Sequence, residues 1–394
     1  MQAPGNSAST LRMTPAMVTL FAFCCGAIVA NLYYAQPIIG LIAPDIGLSP
    51  TAASLTVALT QIGYAIGLFF IVPLADLVEN RRLLIATTLL SVVSLAIATL
   101  VRDAGVFLLV SLLVGFGSVA VQILVPLAAH FAPDETRGRV VGNVMGGLML
   151  GILLSRPFSS FVADHFGWHA VFGTATVFMI AITVLFAWLM PRRQPAHEAT
   201  YLSLLRSLGK LMARLPPLRR RSFYQGCMFA SFSLFWTAAP LELTRHYGLS
   251  QSQIAVFALI GALGAIAAPV AGRMADAGYT RGGTLTAMVL AAAGYWPIVV
   301  APSFGVVGLV FTGILLDFCV QMNMVLGQRE VYALDASSSG RLNALYVTSV
   351  FIGGAIGSLI ASPLYTHFGW TGVVVTGSVL PVIALARFLV SGMR

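Results

Sequence analysis

The side chains best placed to do chemistry in this sequence are the few ionisable ones set inside long apolar runs. Asp317 lies about midway along residues 303–326, Arg156 in the later part of residues 139–162, and Glu242 at the end of residues 222–243. A charge at the centre of a bilayer costs roughly 2.5–3.5 kcal/mol on insertion scales, so such residues are retained for a reason. Burial in an apolar medium brings the charged and neutral forms of a carboxyl group closer in free energy. Asp317 could then take a proton on one side of a membrane and release it on the other, as proton coupling requires. The competing reading is a carboxylate held permanently by a cation or a backbone donor. Arg156 could bind an anionic solute group or pair with Asp317; the alternative is a side chain that snorkels to the interface. Glu242 reads as interfacial.

Uncharged hydrogen-bonding groups accompany these charges. Asn31, Tyr34, Gln36, Gln61, Gln122, Gln225, Trp236 and Gln321 all fall in apolar runs. Asn31 and Tyr34 share a face at a spacing of three, and Gln321, Met324 and Gln328 follow Asp317 along one helical stripe. Amides and aromatics suit a neutral or weakly charged organic solute. They also serve as bonds between helices. Other chemistries find no support. The six histidines fall in loops or at helix ends, and no paired-His metal motif, phosphate-cradling loop or nucleophile beside a base occurs. Cys24, Cys25, Cys227 and Cys319 read as free thiols packed in helices. We expect no metal, no cofactor, no catalytic centre and no ATP-hydrolysing domain, so a gradient must supply the energy.

The elements that carry these residues follow from composition. Hydrophobic residues make up 58% of the 394 residues and charged residues only 9%. A soluble chain carries roughly 25% charged residues, because its surface must be covered by polar groups. The bilayer must be the solvent here. Apolar runs lie near 15–40, 51–75, 83–101, 106–130, 139–162, 168–190, 222–243, 252–272, 282–300, 303–326, 341–364 and 370–390. A spanning helix needs ~20 apolar residues, and a bilayer admits only helices or closed barrels. The sequence therefore predicts an all-α membrane protein with twelve transmembrane helices. The first run reads as a span and not as a cleaved signal peptide.

The cations orient it. With the N-terminus inside, all Lys and Arg except Arg102, Arg156 and Arg245 fall on the inner side, from Arg12 to Arg394. This positive-inside bias puts both termini in the cytoplasm. It also accounts for the net charge of +9 through anionic lipid, with no nucleic acid needed. Residues 191–221 hold eight Lys/Arg against Glu198. This basic linker has apolar residues at helical spacing over Tyr201–Leu215, which fits a helix on the membrane surface or a solvated tether.

The chain repeats itself. Leu74-Ala75-Asp76 returns as Met274-Ala275-Asp276, Gly138-Arg139 as Gly340-Arg341, and Phe166-Gly167-Trp168 as Phe368-Gly369-Trp370, all at an offset of 200 to 202. The division is a six-helix bundle over 1–190, the linker over 191–221, and a second bundle over 222–394. Six helices per repeat keep equivalent helices parallel, which implies an axis along the membrane normal and one cavity between bundles that rock.

These features resemble the major facilitator superfamily over nearly the whole chain. Its loop between the second and third helices runs Gly, three residues, Asp, then basic residues. Gly272, Asp276 and Arg281 fit it; Asp76 and Arg81 fit a degraded first copy in which Val72 replaces Gly. The resemblance implies a gating role for these five residues. The strings Asn31-Leu-Tyr-Tyr-Ala-Gln-Pro37, Leu316-Asp317 with Gln328, and Arg341-Leu-Asn343 are similar to the bacterial sugar-efflux and drug:proton antiporter-like branch. That likeness implies a monomer in the bacterial inner membrane, exporting a small organic solute in exchange for protons. Uptake by symport, or facilitated diffusion, is the alternative; a membrane-embedded enzyme or sensor is a remote one. Two departures stand out. Ser111 occupies the place of an antiporter Arg in the fourth helix, before Gly115, and Arg156-Pro157 stands where a Gly-Pro pair is usual in the fifth.

Overall fold

The protein is described from a computed structural model, which covers residues 14–133, 135–195, 200–261, 263–264, 267–300, 302–335 and 338–392. Arg12, His197, Glu198 and Arg394 lie outside the described residues. The described residues form helices joined by turns, without a strand. Among them, seven helices are long and apolar enough to cross a membrane: residues 55–76, 80–100, 104–131, 137–166, 168–189, 305–333 and 339–390.

Of the remaining apolar runs, the first, eighth and ninth are interrupted. The first breaks after the Pro15–Ala30 helix, turns through residues 31–35 and resumes as Ile39–Asp45. The eighth run divides into the helices Gln251–Gly261 and Ala267–Asp276. The seventh helix starts at Pro216, inside the expected linker, and reaches Arg245. Its basic first turns end the apolar run without ending the helix, and proline suits the first helical position. The tenth helix likewise continues past the apolar run to Ala333. The basic helix of the linker is present as Tyr201–Arg214, capped by Thr200. Its Leu204 and Leu208 are buried against the bundle, and Arg341 Nη1 donates to Ser207 Oγ at 3.0 Å.

The sequence repeat has a structural counterpart. Gly167 and Gly369, the centres of the two Phe-Gly-Trp tripeptides, adopt φ of 80° and 61°. That left-handed region is open to glycine and separates two consecutive helices at each site. The helix crossings repeat as well. A Cβ on Gly151 would lie 2.2 Å from Gly26 O, and one on Gly353 would lie 2.1 Å from Gly226 O. The first and fifth spans thus touch backbone to backbone, as do the seventh and eleventh, through residues at the repeat offset. Small residues allow this approach between helices that have no hydrophobic driving force to associate in lipid.

One apolar core is drawn mainly from residues 18–218, with a contribution from residues 331–351, and a second from residues 224–388. The two ends of the molecule differ. At the linker end, Asn80 N donates to Arg193 O at 3.0 Å and Tyr201 Oη to Phe70 O at 2.8 Å. At the far end, Ser54 N donates to Ser362 Oγ at 3.1 Å and Ser362 N to Ser54 Oγ at 3.3 Å, joining the second and eleventh spans. Ser252 Oγ also donates to the Asp164 carboxylate there. Ile39, Val57 and Leu241 add a small apolar seal.

Candidate functional site

A cavity of about 610 Å³ lies between the two halves. Ala129, Tyr332 and Gly340 line it near the linker end, and Tyr33, Ile152 and Gln321 line its inner part. Its wall is mostly apolar, with Met145, Met149 and Met324 among aromatic rings, and among the described residues it contains no acid, lysine, arginine or histidine.

Four residues, or one helical turn of about 5.4–6 Å, separate the deep lining residues from the buried charges. Ile152 lines the cavity and Arg156 follows it on the fifth span; Gln321 lines it and Asp317 precedes it on the tenth. The seventh span leads to the same place, because Gln225 and Phe229 line the cavity while Phe232 and Trp236 continue the stripe at spacings of three and four.

Arg156 is 5% exposed and does not snorkel. Its Nε donates to Gln36 Oε1 at 2.9 Å. Its Cζ lies over three aromatic rings, with the centroid of Trp236 at 4.6 Å, Tyr33 at 5.0 Å and Phe232 at 5.2 Å. These contacts offset part of the cost of a buried cation through the ring quadrupoles. Nη2 is fully buried with no acceptor. Trp236 Nε1 in turn donates to Asp317 Oδ1 at 2.6 Å. Arg156 and Asp317 form no direct ion pair but lie within electrostatic reach of each other. One indole therefore stacks on the cation and bonds the carboxylate.

A chain of hydrogen bonds joins the halves beside this group. Gln36 Nε2 donates to Thr237 Oγ1 at 3.2 Å, and Thr237 Oγ1 lies 3.2 Å from Ser358 Oγ. Gln36 and Thr237 are 201 residues apart, and Arg156 and Ser358 are 202 apart. The four residues form two repeat-related pairs where the halves meet. Thr237 escaped the sequence reading although the offset points from Gln36 to it. Tyr33 and Phe232 escaped because an aromatic in an apolar run carries no mark of a cation beside it.

The other singled-out polar residues divide. Gln122 lines the cavity, donates to Tyr64 Oη at 3.0 Å and accepts from Asn343 Nδ2 at 3.4 Å. Gln321 Nε2 faces Met149 Sδ across the halves at 3.8 Å. Gln225 lines the cavity and is held by Val320 O at 3.2 Å and Asn323 Nδ2 at 2.6 Å. Gln61 donates to Ser233 Oγ at 3.3 Å behind the wall. Tyr34 is buried against Phe158, outside the lining. Asn31 is buried with both amide atoms unpartnered, in the turn that breaks the first span. Glu242 is 8% exposed and accepts from Tyr365 Oη at 2.8 Å.

Among the loop residues, Asp276 pairs with Arg329, at the end of the tenth helix, and not with Arg281. Arg281 lines a smaller cavity with Arg220, Arg221 and Glu330. Asp76 is exposed beside Arg193 and Arg341, and Arg81 donates to Ala187 O. Gly272 has open space where a Cβ would stand. No group of His, Cys, Asp and Glu among the described residues could hold a metal.

The pattern described as the Major Facilitator Superfamily matches residues 18–218 and 221–392. The chain is 37% identical over 376 residues to "Uncharacterized transporter YgaY" of Escherichia coli O157:H7, covering 95% of each. It is 31% identical over 371 residues to "Probable transporter SCO4007" of Streptomyces coelicolor, covering 94% of this chain and 85% of the relative. Its fold resembles that of a POT family transporter solved in complex with 5-aminolevulinic acid, with a TM-score of 0.74, 14% identity and 96% of each chain covered.

Proposed function

Because this chain belongs to the major facilitator superfamily, a family of transporters and not of enzymes, we propose that it moves a small organic solute across the bacterial inner membrane by alternating access, coupled to protons through Asp317. The reading takes the twelve apolar runs as twelve spans in two six-helix bundles with both termini cytoplasmic, so that the linker end faces the cytoplasm and the cavity belongs to an inward-facing state. The single observation that carries it is the position of Asp317. This carboxylate sits one turn beyond the closed end of the cavity, bonded to an indole that also holds Arg156. A proton on Asp317 changes the charge at the deepest point of the solute path, where the halves meet.

The test is flux in proteoliposomes under an imposed pH gradient. Asp317→Asn should abolish gradient-driven accumulation while leaving solute exchange at equal pH. Accumulation that persists in this variant removes Asp317 from coupling. Export is the direction the antiporter-like sequence strings support, and accumulation in everted vesicles tests it. Arg156 favours a second reading, co-transport. A solute that neutralises this cation binds best when Asp317 has taken its proton, and solute and proton then move together.

A further inference from the structure

We propose that the solute is an organic anion, and that its carboxylate or similar oxyanion docks on the Nη edge of Arg156. The inference rests on the transport reading above and names the substrate class for that site.

Each part of the guanidinium that could be satisfied without a solute has been, except this edge. Rings of Tyr33, Phe232 and Trp236 surround it, and Gln36 accepts from Nε. Nη2 is buried with no acceptor, and no carboxylate makes a direct ion pair with Arg156 among the described residues. A buried charge-bearing donor left unmade is costly, and a planar oxyanion is the partner that the guanidinium fork matches best. The path to it suits an organic body. The lining is apolar and rich in methionine, and Tyr33 belongs both to the cavity wall and to the cage around Arg156. No charged residue among the described ones lines this cavity, and Arg156 is the cation one turn beyond its closed end. A cationic solute would meet Arg156 with no fixed anion in the wall to hold it.

Proton and anion should bind together. The charged or titratable groups facing Arg156 are Asp317 and Tyr33, and those facing Asp317 are Arg156 and Tyr33. A proton on Asp317 removes the one nearby negative charge, which leaves Arg156 free to hold the solute.

The experiment is binding to the purified full chain in nanodiscs. Benzoate, hexanoate and benzenesulfonate serve as probes, with benzamide and hexanamide as neutral matches. We expect at least one anion to bind while its amide does not. Arg156→Gln should weaken that anion ~10- to 100-fold, with Arg156→Lys in between. In the wild type, benzenesulfonate, which stays charged throughout, should bind more tightly as pH falls, and Asp317→Asn should remove this slope. The wild-type pH series keeps the test valid if Arg156→Gln fails to fold. Amides that bind as well as anions, anions that do not bind, or anion binding that weakens as pH falls would each overturn the proposal. Failure of proton-driven flux with anion binding intact would overturn only the coupling; coupled flux with anion-blind binding would overturn only the anion.

Discussion

Trp236 touches both buried charges at once, and that fixes what its replacement should do. Phenylalanine keeps a ring near Arg156 but has no N–H for Asp317. Losing a hydrogen bond to a charged group costs about 1.5–3 kcal/mol, whereas removing the whole side chain costs about 3–5 kcal/mol. Trp236→Phe should therefore lower the thermal midpoint in detergent modestly and Trp236→Ala severely, read by circular dichroism melting. Equal losses would mean that the indole N–H contributes nothing. The charges themselves were legible in the sequence, because an acid or an arginine inside an apolar run stands out by its cost. Their linkage was not. Trp236 and Asp317 are 81 residues apart, Arg156 and Gln36 are 120 apart, and no local spacing announces such contacts. The same limit applies to Asp276, whose cation is Arg329 and not the Arg281 nearer in sequence.

Among the helices, close crossing decides which positions tolerate a side chain. A Cβ on Gly115 would stand 1.9 Å from Thr60 O, and one on Gly63 1.9 Å from Leu112 O, so the second and fourth spans interlock through two glycines. Gly151 and Gly353 make the repeat-related crossings of the first with the fifth span and the seventh with the eleventh. Alanine at Gly115, Gly151 or Gly353 forces backbones apart, which should cost about 1–3 kcal/mol each. Gly142→Ala is the control, because open space surrounds that position. Thermal melting of the four variants checks this, and a Gly142 variant as damaged as the others would refute the packing argument. Spans read well from apolar runs where runs and helices coincide. They read poorly at basic helix starts, where Pro216–Arg245 begins six residues before its apolar run, and at the turn of residues 31–35. Hydropathy reports what a segment's side chains prefer as solvent and says nothing of where its backbone bonds stop.

For the molecule as a whole, the two ends of the interface between halves are built differently. The linker end holds a cavity, while the far end is closed by Ser54 and Ser362, whose backbone N–H groups and hydroxyls bond each other reciprocally. Each hydrogen bond of this closure is worth about 0.5–1.5 kcal/mol, and the second and eleventh spans also pack along each other. Rocking of the halves would then exchange this closure for one at the linker end. A covalent bond across Ser54 and Ser362 should stop the cycle. In a background lacking Cys24, Cys25, Cys227 and Cys319, the pair Ser54→Cys and Ser362→Cys should form a disulfide on oxidation, block flux in proteoliposomes and recover it on reduction. The anion of the preceding section should still bind from the linker side of the locked protein, because the cavity and Arg156 lie on that side of the bond. Unimpaired flux through the oxidised pair would show that these two spans do not separate during transport.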